Sequence, residues 1–167
     1  MGMDVYGKRP KENKSIEEFP TYKKFESMDF KKKWRTLDKN EKLKDQYFKE
    51  QDAYEEANCG RYFRNNCWWW RPLWNYCYAI ADDIISEEVW NSGHCNDGAG
   101  LNARDAKKLG KRILNHIDTG ECVKYQAEYM QFCEDEGGKF SKSYPFDVDN
   151  ARKFANFCIQ SGGFEIC

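Results

Sequence analysis

Residues 60–74 read GRYFRNNCWWWRPLW, with two turn-forming asparagines between an aromatic segment and a run of three tryptophans. Residues 60–64 have the aromatic and polar texture of a strand, and Asn65 with Asn66 reads as a turn. Arg71 and Pro72 then predict a helix start, because a first-turn proline lacks only an N–H that would be unpaired anyway. Leu73, Cys77, Ile80 and Ile84 supply the buried stripe of that helix. Residues 3–7 and 163–167 alternate beside glycines, so both chain ends are predicted to join 60–64 in a small antiparallel sheet.

The segments between these strands have helical period. Ser86 to Asn91 reads as a short helix stopped by Gly93, and residues 94–100 read as a loop. Asn102 caps a helix whose inner face is Ala106, Leu109, Ile113 and Ile117, and Gly120 ends it. Val123, Ala127, Met130 and Cys133 predict the inner face of a further helix, stopped by Gly137 and Gly138. Asp147 or Asp149 caps the last helix, which buries Ala151, Phe154, Phe157 and Cys158 and ends at Ser161-Gly162-Gly163. The fold class is therefore α+β: a mostly helical single domain with a small antiparallel sheet.

Composition narrows the function classes. The 167 residues carry 27 basic and 28 acidic side chains, which excludes a globally basic nucleic-acid binder and a polyacidic mimic. Six Trp, ten Tyr and eleven Phe make aromatic rings a main part of the core. No apolar run is long enough to span a membrane. The first residues show neither a secretory leader nor a myristoylation pattern, since Tyr6 stands where Ser or Thr is required. Eight cysteines would suit a secreted disulfide framework, but without a leader they read as reduced thiols. Cys77, Cys122, Cys133 and Cys158 fall in helical apolar patterns and are expected in the core. No cysteine pair has zinc-knuckle spacing, and no metal or cofactor is expected.

Residues 8–58 differ in texture, with 14 basic and 12 acidic side chains and no cysteine. Phe30, Trp34 and Leu37 follow a cap at Asp29, Asp38 with Glu41 has capping-box spacing, and Leu43, Tyr47 and Tyr54 form the next stripe up to Gly60. Two or three charged amphipathic helices are predicted. Residues 11–58 read as an inserted helical arm in a main domain of 1–10 and 59–167. Trp34, Tyr47 and Tyr54 are its candidate partner-binding residues, the alternative being that they pack as an extra layer.

Three clusters are candidate sites. Trp68, Trp69, Trp70 and Trp74 with Arg61, Arg64 and Arg71 form either a stacking and phosphate-contact surface or a core corner covered by arginines. From an extended segment three successive indoles cannot all point inward, so at least one is expected near the surface. Asn96, Asp97 and Gly98, before a helix N-terminus, offer either a turn or an anion site, and Cys95 beside His94 is a conceivable thiolate. Asp82, Asp83, Glu87 and Glu88 read as a solvated face before a metal or acid–base pair, and His116 as a surface histidine near a helix C-terminus.

The series MGMDVYG at 1–7, YFRNNCWWWRPLW at 62–74, NDG at 96–98, YPF at 144–146 and GGFEIC at 162–167 resembles a family of small proteins carried by tailed phages and prophages. The likeness covers 1–10 and 60–167. In that family the first strand passes almost directly to the Gly-Arg-Tyr-Phe segment, which makes 11–58 an insertion here. Some members carry a zinc knuckle before Tyr-Pro-Phe; residues 134–142 contain no cysteine, so no knuckle is transferred. The family brings no established activity and implies a phage-type accessory protein in a bacterial host cytoplasm. Within the insertion, Trp34, Leu37, Lys42 and Tyr54 are spaced roughly like the last two helices of an HMG box, although the first helix is too short and the charge is balanced. The leading expectation is a binding protein that inhibits or modulates a host defence or replication protein. The alternative is a binder of nucleotide or single-stranded nucleic acid through the Arg/Trp cluster, with a hydrolase a distant third.

Overall fold

The computed structural model describes residues 2–135 and 144–167. It is 63% helical, with a four-stranded antiparallel sheet, so the fold is α+β as the sequence predicts. The chain divides into two compact units, Met1–Lys11 with Cys59–Cys167, and Glu12–Asn58.

In the first unit the strands are β1 (Gly2–Gly7), β2 (Tyr62–Asn66), β3 (Gly100–Asn102) and β4 (Gly163–Ile166), in the order β2-β1-β4-β3. The three predicted strands are present with β1 between the other two. β3 runs from Gly100, the last residue of the predicted loop, to the predicted helix cap Asn102, and its three residues are too few to show alternation. The backbones of Asp4 and Cys167 exchange hydrogen bonds of 3.3 and 2.7 Å, which ties the two chain ends together. Met3 and Val5 face inward with Phe164 and Ile166. Against this face pack Phe154 and Phe157 of the last helix, Val148–Gln160, and Phe63 lies 5.1 Å from the Phe154 ring.

The unit's helices, counted after three in the other unit, are α4 (Cys67–Ile80), α5 (Glu87–Ser92), α6 (Ala103–Asp118), α7 (Glu121–Asp135) and α8 (Val148–Gln160). Asn66 corrects the predicted turn and the predicted helix start. Its side chain accepts the N–H groups of Trp68 and Trp69, so the helix begins at Cys67 and takes in all three tryptophans. Pro72 therefore sits inside the helix, where it has no N–H to donate to the preceding turn. The helix ends at Ile80, so Ile84 falls past it and Ile85 is the buried residue.

The inner faces of α6 and α8 are as predicted, with Asp147 capping α8. Gly110 lets these helices touch: a Cβ there would stand 2.5 Å from the Ala155 carbonyl oxygen. On α7 the predicted face is displaced. Cys122 and Cys133 are buried with Tyr125 and Tyr129 packed between them, whereas Val123, Ala127 and Met130 face solvent. The packing of Tyr125 on Phe146 (4.9 Å) and on Tyr76 (4.6 Å) chooses the aromatic stripe over the aliphatic one. The predicted stop of α7 at Gly137 and Gly138 lies outside the described residues. All eight cysteines are free thiols; Cys77, Cys122, Cys133 and Cys158 are buried.

The second unit holds a 3₁₀ turn (Ile16–Glu18) and α1 (Pro20–Glu26), α2 (Phe30–Leu37) and α3 (Glu41–Ala57). Phe19, Tyr22, Phe25, Leu37, Tyr47 and Tyr54 form its own core. Asp29 caps α2 as predicted, but the cap of α3 is Asn40, not Asp38, which closes α2. α1 has no local side-chain cap; the Glu50 carboxylate of α3 accepts the Thr21 and Tyr22 N–H groups at 2.7 and 2.9 Å. α3 ends at Ala57, so Gly60 is not its stop.

Candidate functional site

The tryptophan run is read by a helix and not by a strand. Successive residues turn by about 100°, so only one of three neighbours can face a core. Trp70 does so, stacked at 5.4 Å on Trp74 one turn later, and both are fully buried. Their indole N–H groups donate to the carbonyls of Gly93 (2.7 Å) and Trp90 (3.0 Å), so both polar ends are satisfied. Trp68 and Trp69 are 39% and 37% exposed on the outer side of the same turn.

Tyr144 organises the surface around them. Its ring packs 4.6 Å from Trp68, and its hydroxyl accepts a 3.0 Å hydrogen bond from Arg71 Nη1. Clefts of about 260 and 220 Å³ flank Tyr144, the first reaching Met130 and Phe146 and the second Arg71 and Phe132. Phe132 and Met130 are both more than half exposed on α7. The result is an aromatic surface of Trp68, Trp69, Tyr144 and Phe132 with one oriented guanidinium at its centre.

The other predicted cluster members lie elsewhere. Arg64, on β2, pairs at 3.4 Å with Asp4 across the strand register, and the Tyr62 hydroxyl donates to the same carboxylate. Burial and that carboxylate push the Tyr62 hydroxyl up to about 12. Arg61 stands exposed ahead of β2, where its carbonyl accepts from Gly7. Trp70 and Trp74 belong to the core corner that the sequence offered as the alternative.

Asn96, Asp97 and Gly98 staple the sheet. Asn96 Nδ2 donates to the Gly2 carbonyl at 3.0 Å, Asp97 accepts the Ala99 N–H, and Gly98, at φ +88°, donates to Ile166. The first-turn amides of α6 are already taken by Asn102, and Asp105 adds a negative charge there, which disfavours an anion. His94 is half-buried against Trp90; burial and then the Arg71 charge hold its pKa below the usual histidine range, and its Nδ1 finds no hydrogen-bond partner among the described residues. Cys95 is exposed.

Asp83 is bound by Arg112, with one contact at 3.0 Å, and Arg112 also donates to the Ile80 carbonyl that ends α4. Its hydrogen bond keeps Asp83 ionised below the usual carboxylate range. Glu87 and Glu88 occupy the first turn of α5, where negative charge is favourable. His116 lies in the last turn of α6, edge-on to Tyr76 at 6.3 Å. Among the described residues no group of three His, Cys, Asp or Glu gathers to hold a metal.

In the second unit Tyr47 and Tyr54 are buried in that unit's own core, which corrects their assignment as contact residues of an arm. The Tyr47 hydroxyl instead completes a polar cluster: Lys33 Nζ donates to it at 2.6 Å, and it donates to Glu26 at 2.9 Å. Trp34 is half-buried; Phe30 and Phe48 are the exposed aromatics.

Comparison with protein-family models, curated proteins and solved structures finds no match to this chain. Among the described residues no helix is long and apolar enough to cross a membrane.

Proposed function

We propose that this chain acts by binding another protein, with Trp68, Trp69, Arg71, Tyr144 and Phe132 as the contact surface. The carrying observation is the pair of indoles held outward on the first turn of a capped, core-anchored helix. Trp, Tyr and Arg are the side chains that most often dominate binding energy at protein interfaces, and a rigid helix turn presents them at low entropic cost. The resemblance to phage accessory proteins makes a bacterial host protein the expected class of target, and inhibition or modulation the expected effect. Binding of single-stranded nucleic acid through the same indoles is the second reading. A stacking groove works with several cations along its path, whereas among the described residues Arg71 is the one cation held against the exposed rings, and Arg64 is paired with Asp4. The two readings separate in a capture experiment from bacterial lysate. A stoichiometric protein complex that survives nuclease and high salt supports the first. Recovery that disappears with nuclease, with a steep log–log salt dependence, supports the second.

A further inference from the structure

The second unit carries a separate surface of different chemistry. Residues 30–44 hold seven basic side chains against two acidic ones, while residues 45–58 hold one against five. Lys33 and Lys44 are engaged by Glu26 and Asp38. Lys31, Lys32, Arg35, Lys39 and Lys42 are exposed and form no ion pair with a described residue. At about 100° per residue, Lys31, Arg35 and Lys32 fall within roughly 100° of arc on α2. Phe30 and Trp34 occupy the adjoining arc, with ring centroids 6.2 Å apart, and Phe48 of α3 extends the row another 6.2 Å. Phe30 is 72% exposed, so its ring adds nothing to the unit's core.

We infer that the cationic face of α2, with the Phe30–Trp34–Phe48 edge beside it, takes an acidic amphipathic peptide segment of a partner protein. Such a segment brings carboxylates to the lysines and apolar side chains to the aromatic edge, which is the helix-against-helix mode of peptide recognition. The size of the surface fits this occupant. α2 is eight residues, about 12 Å long, matching two turns of a bound helix. Beyond it, exposed Asp45, Asp52, Glu55 and Glu56 on α3 repel the continuous phosphate backbone of a duplex. The surface stands on observations separate from those at Trp68, and it holds or fails separately.

The test uses the full chain and a fluorescent peptide of about 12 residues with Glu on one helical face and Leu on the other. Two further probes are the same peptide with each Leu replaced by Ser, and a DNA duplex of about 20 base pairs. The amphipathic peptide is expected to bind. Lys31→Glu/Lys32→Glu/Arg35→Glu weakens it about tenfold or more, Phe30→Ser weakens it about threefold, and Trp68→Ala/Trp69→Ala leaves it unchanged. Phe30→Ser changes no charge and keeps the test valid should charge reversal unsettle α2. Equal binding of the Ser-substituted peptide, tighter binding of the duplex, or unchanged affinity in the Phe30→Ser protein overturns the proposal.

Discussion

Replacing each tryptophan of the run in turn tests whether residues 68–70 are helical. In the structure only Trp70 is enclosed, by Trp74 at 5.4 Å and by Phe154 edge-on at 5.5 Å. Trp70→Ala removes a fully buried indole, a loss of about 3–5 kcal/mol from transfer and cavity terms. It also strips the Gly93 carbonyl of its donor, adding about 1 kcal/mol. Since a domain's whole stability is about 5–15 kcal/mol, Trp70→Phe, at about 1–3 kcal/mol, is the safer variant to measure. Trp69→Ala is expected within about 0.5 kcal/mol of wild type, and Trp68→Ala, which loses its packing on Tyr144, near 1 kcal/mol. Urea denaturation followed by far-ultraviolet circular dichroism reads all four. An extended segment would give another pattern, because positions 68 and 70 would share a face and position 69 the opposite one. Equal, large losses at Trp68 and Trp70 would refute the helical reading and the exposed surface built on it.

Other consequences follow from particular contacts. In the second unit, burial opposes ionisation of Glu26, yet the hydrogen bonds from Lys33 and Tyr47 and the Lys33 charge outweigh it and hold its pKa below the usual range. Glu50 is likewise held low, its burial outweighed by the hydrogen bonds it receives from Gln46 and α1. A lowered folded-state pKa means stability that is present above the unfolded value and lost as pH falls through the folded one. Melting of this unit should therefore be flat near neutrality and fall in the acid range, and Glu26→Gln should blunt that fall. Gly7→Ala would set a Cβ 2.0 Å from the Gly60 carbonyl oxygen, so a loss of about 1–3 kcal/mol is expected by denaturation. Truncation after Gly163 removes buried Phe164 and Ile166 from a strand paired on both sides, and it should abolish cooperative melting of the sheet-bearing unit. Thiol titration of the native chain should label exposed Cys95 quickly and exposed Cys167, whose thiol is pushed up by partial burial and by the Glu165 and Asp4 charges, more slowly. Cys77 and Cys158, whose thiols full burial pushes up, should react only after unfolding.

Periodicity was informative where one stripe was plainly more apolar than its neighbours. The faces of α6 and α8 were legible for that reason, as were the terminal strands flanked by glycine. On α7 two stripes competed, and the aromatic one won because Phe146, distant in sequence, supplies its partner ring. The start of α4 was misplaced because Pro72 is a strong local signal for a first turn, while Asn65 and Asn66 read equally well as a turn or as strand end and cap. That single choice decides which tryptophans are surface. Strand alternation requires at least one indole outside; the helix puts two there, Trp68 and Trp69. Tyr144 could not be linked to Trp68 from sequence, since no local pattern joins residues so far apart. Tyr47 and Tyr54 were legible as a stripe; that the stripe closes on α1 required the tertiary cap from Glu50.

The proposed binding of a protein through the Trp68–Arg71 surface is open to one direct measurement. The protein captured from nuclease-treated bacterial lysate is titrated against wild type and against Trp68→Ala/Trp69→Ala, with circular dichroism confirming that both are folded. A saturable complex with wild type is expected, with a loss of affinity of about 30-fold or more in the double variant, equivalent to about 2 kcal/mol from two aromatic anchors. Equal affinity for the two proteins, or no complex once nucleic acid is removed, would contradict it.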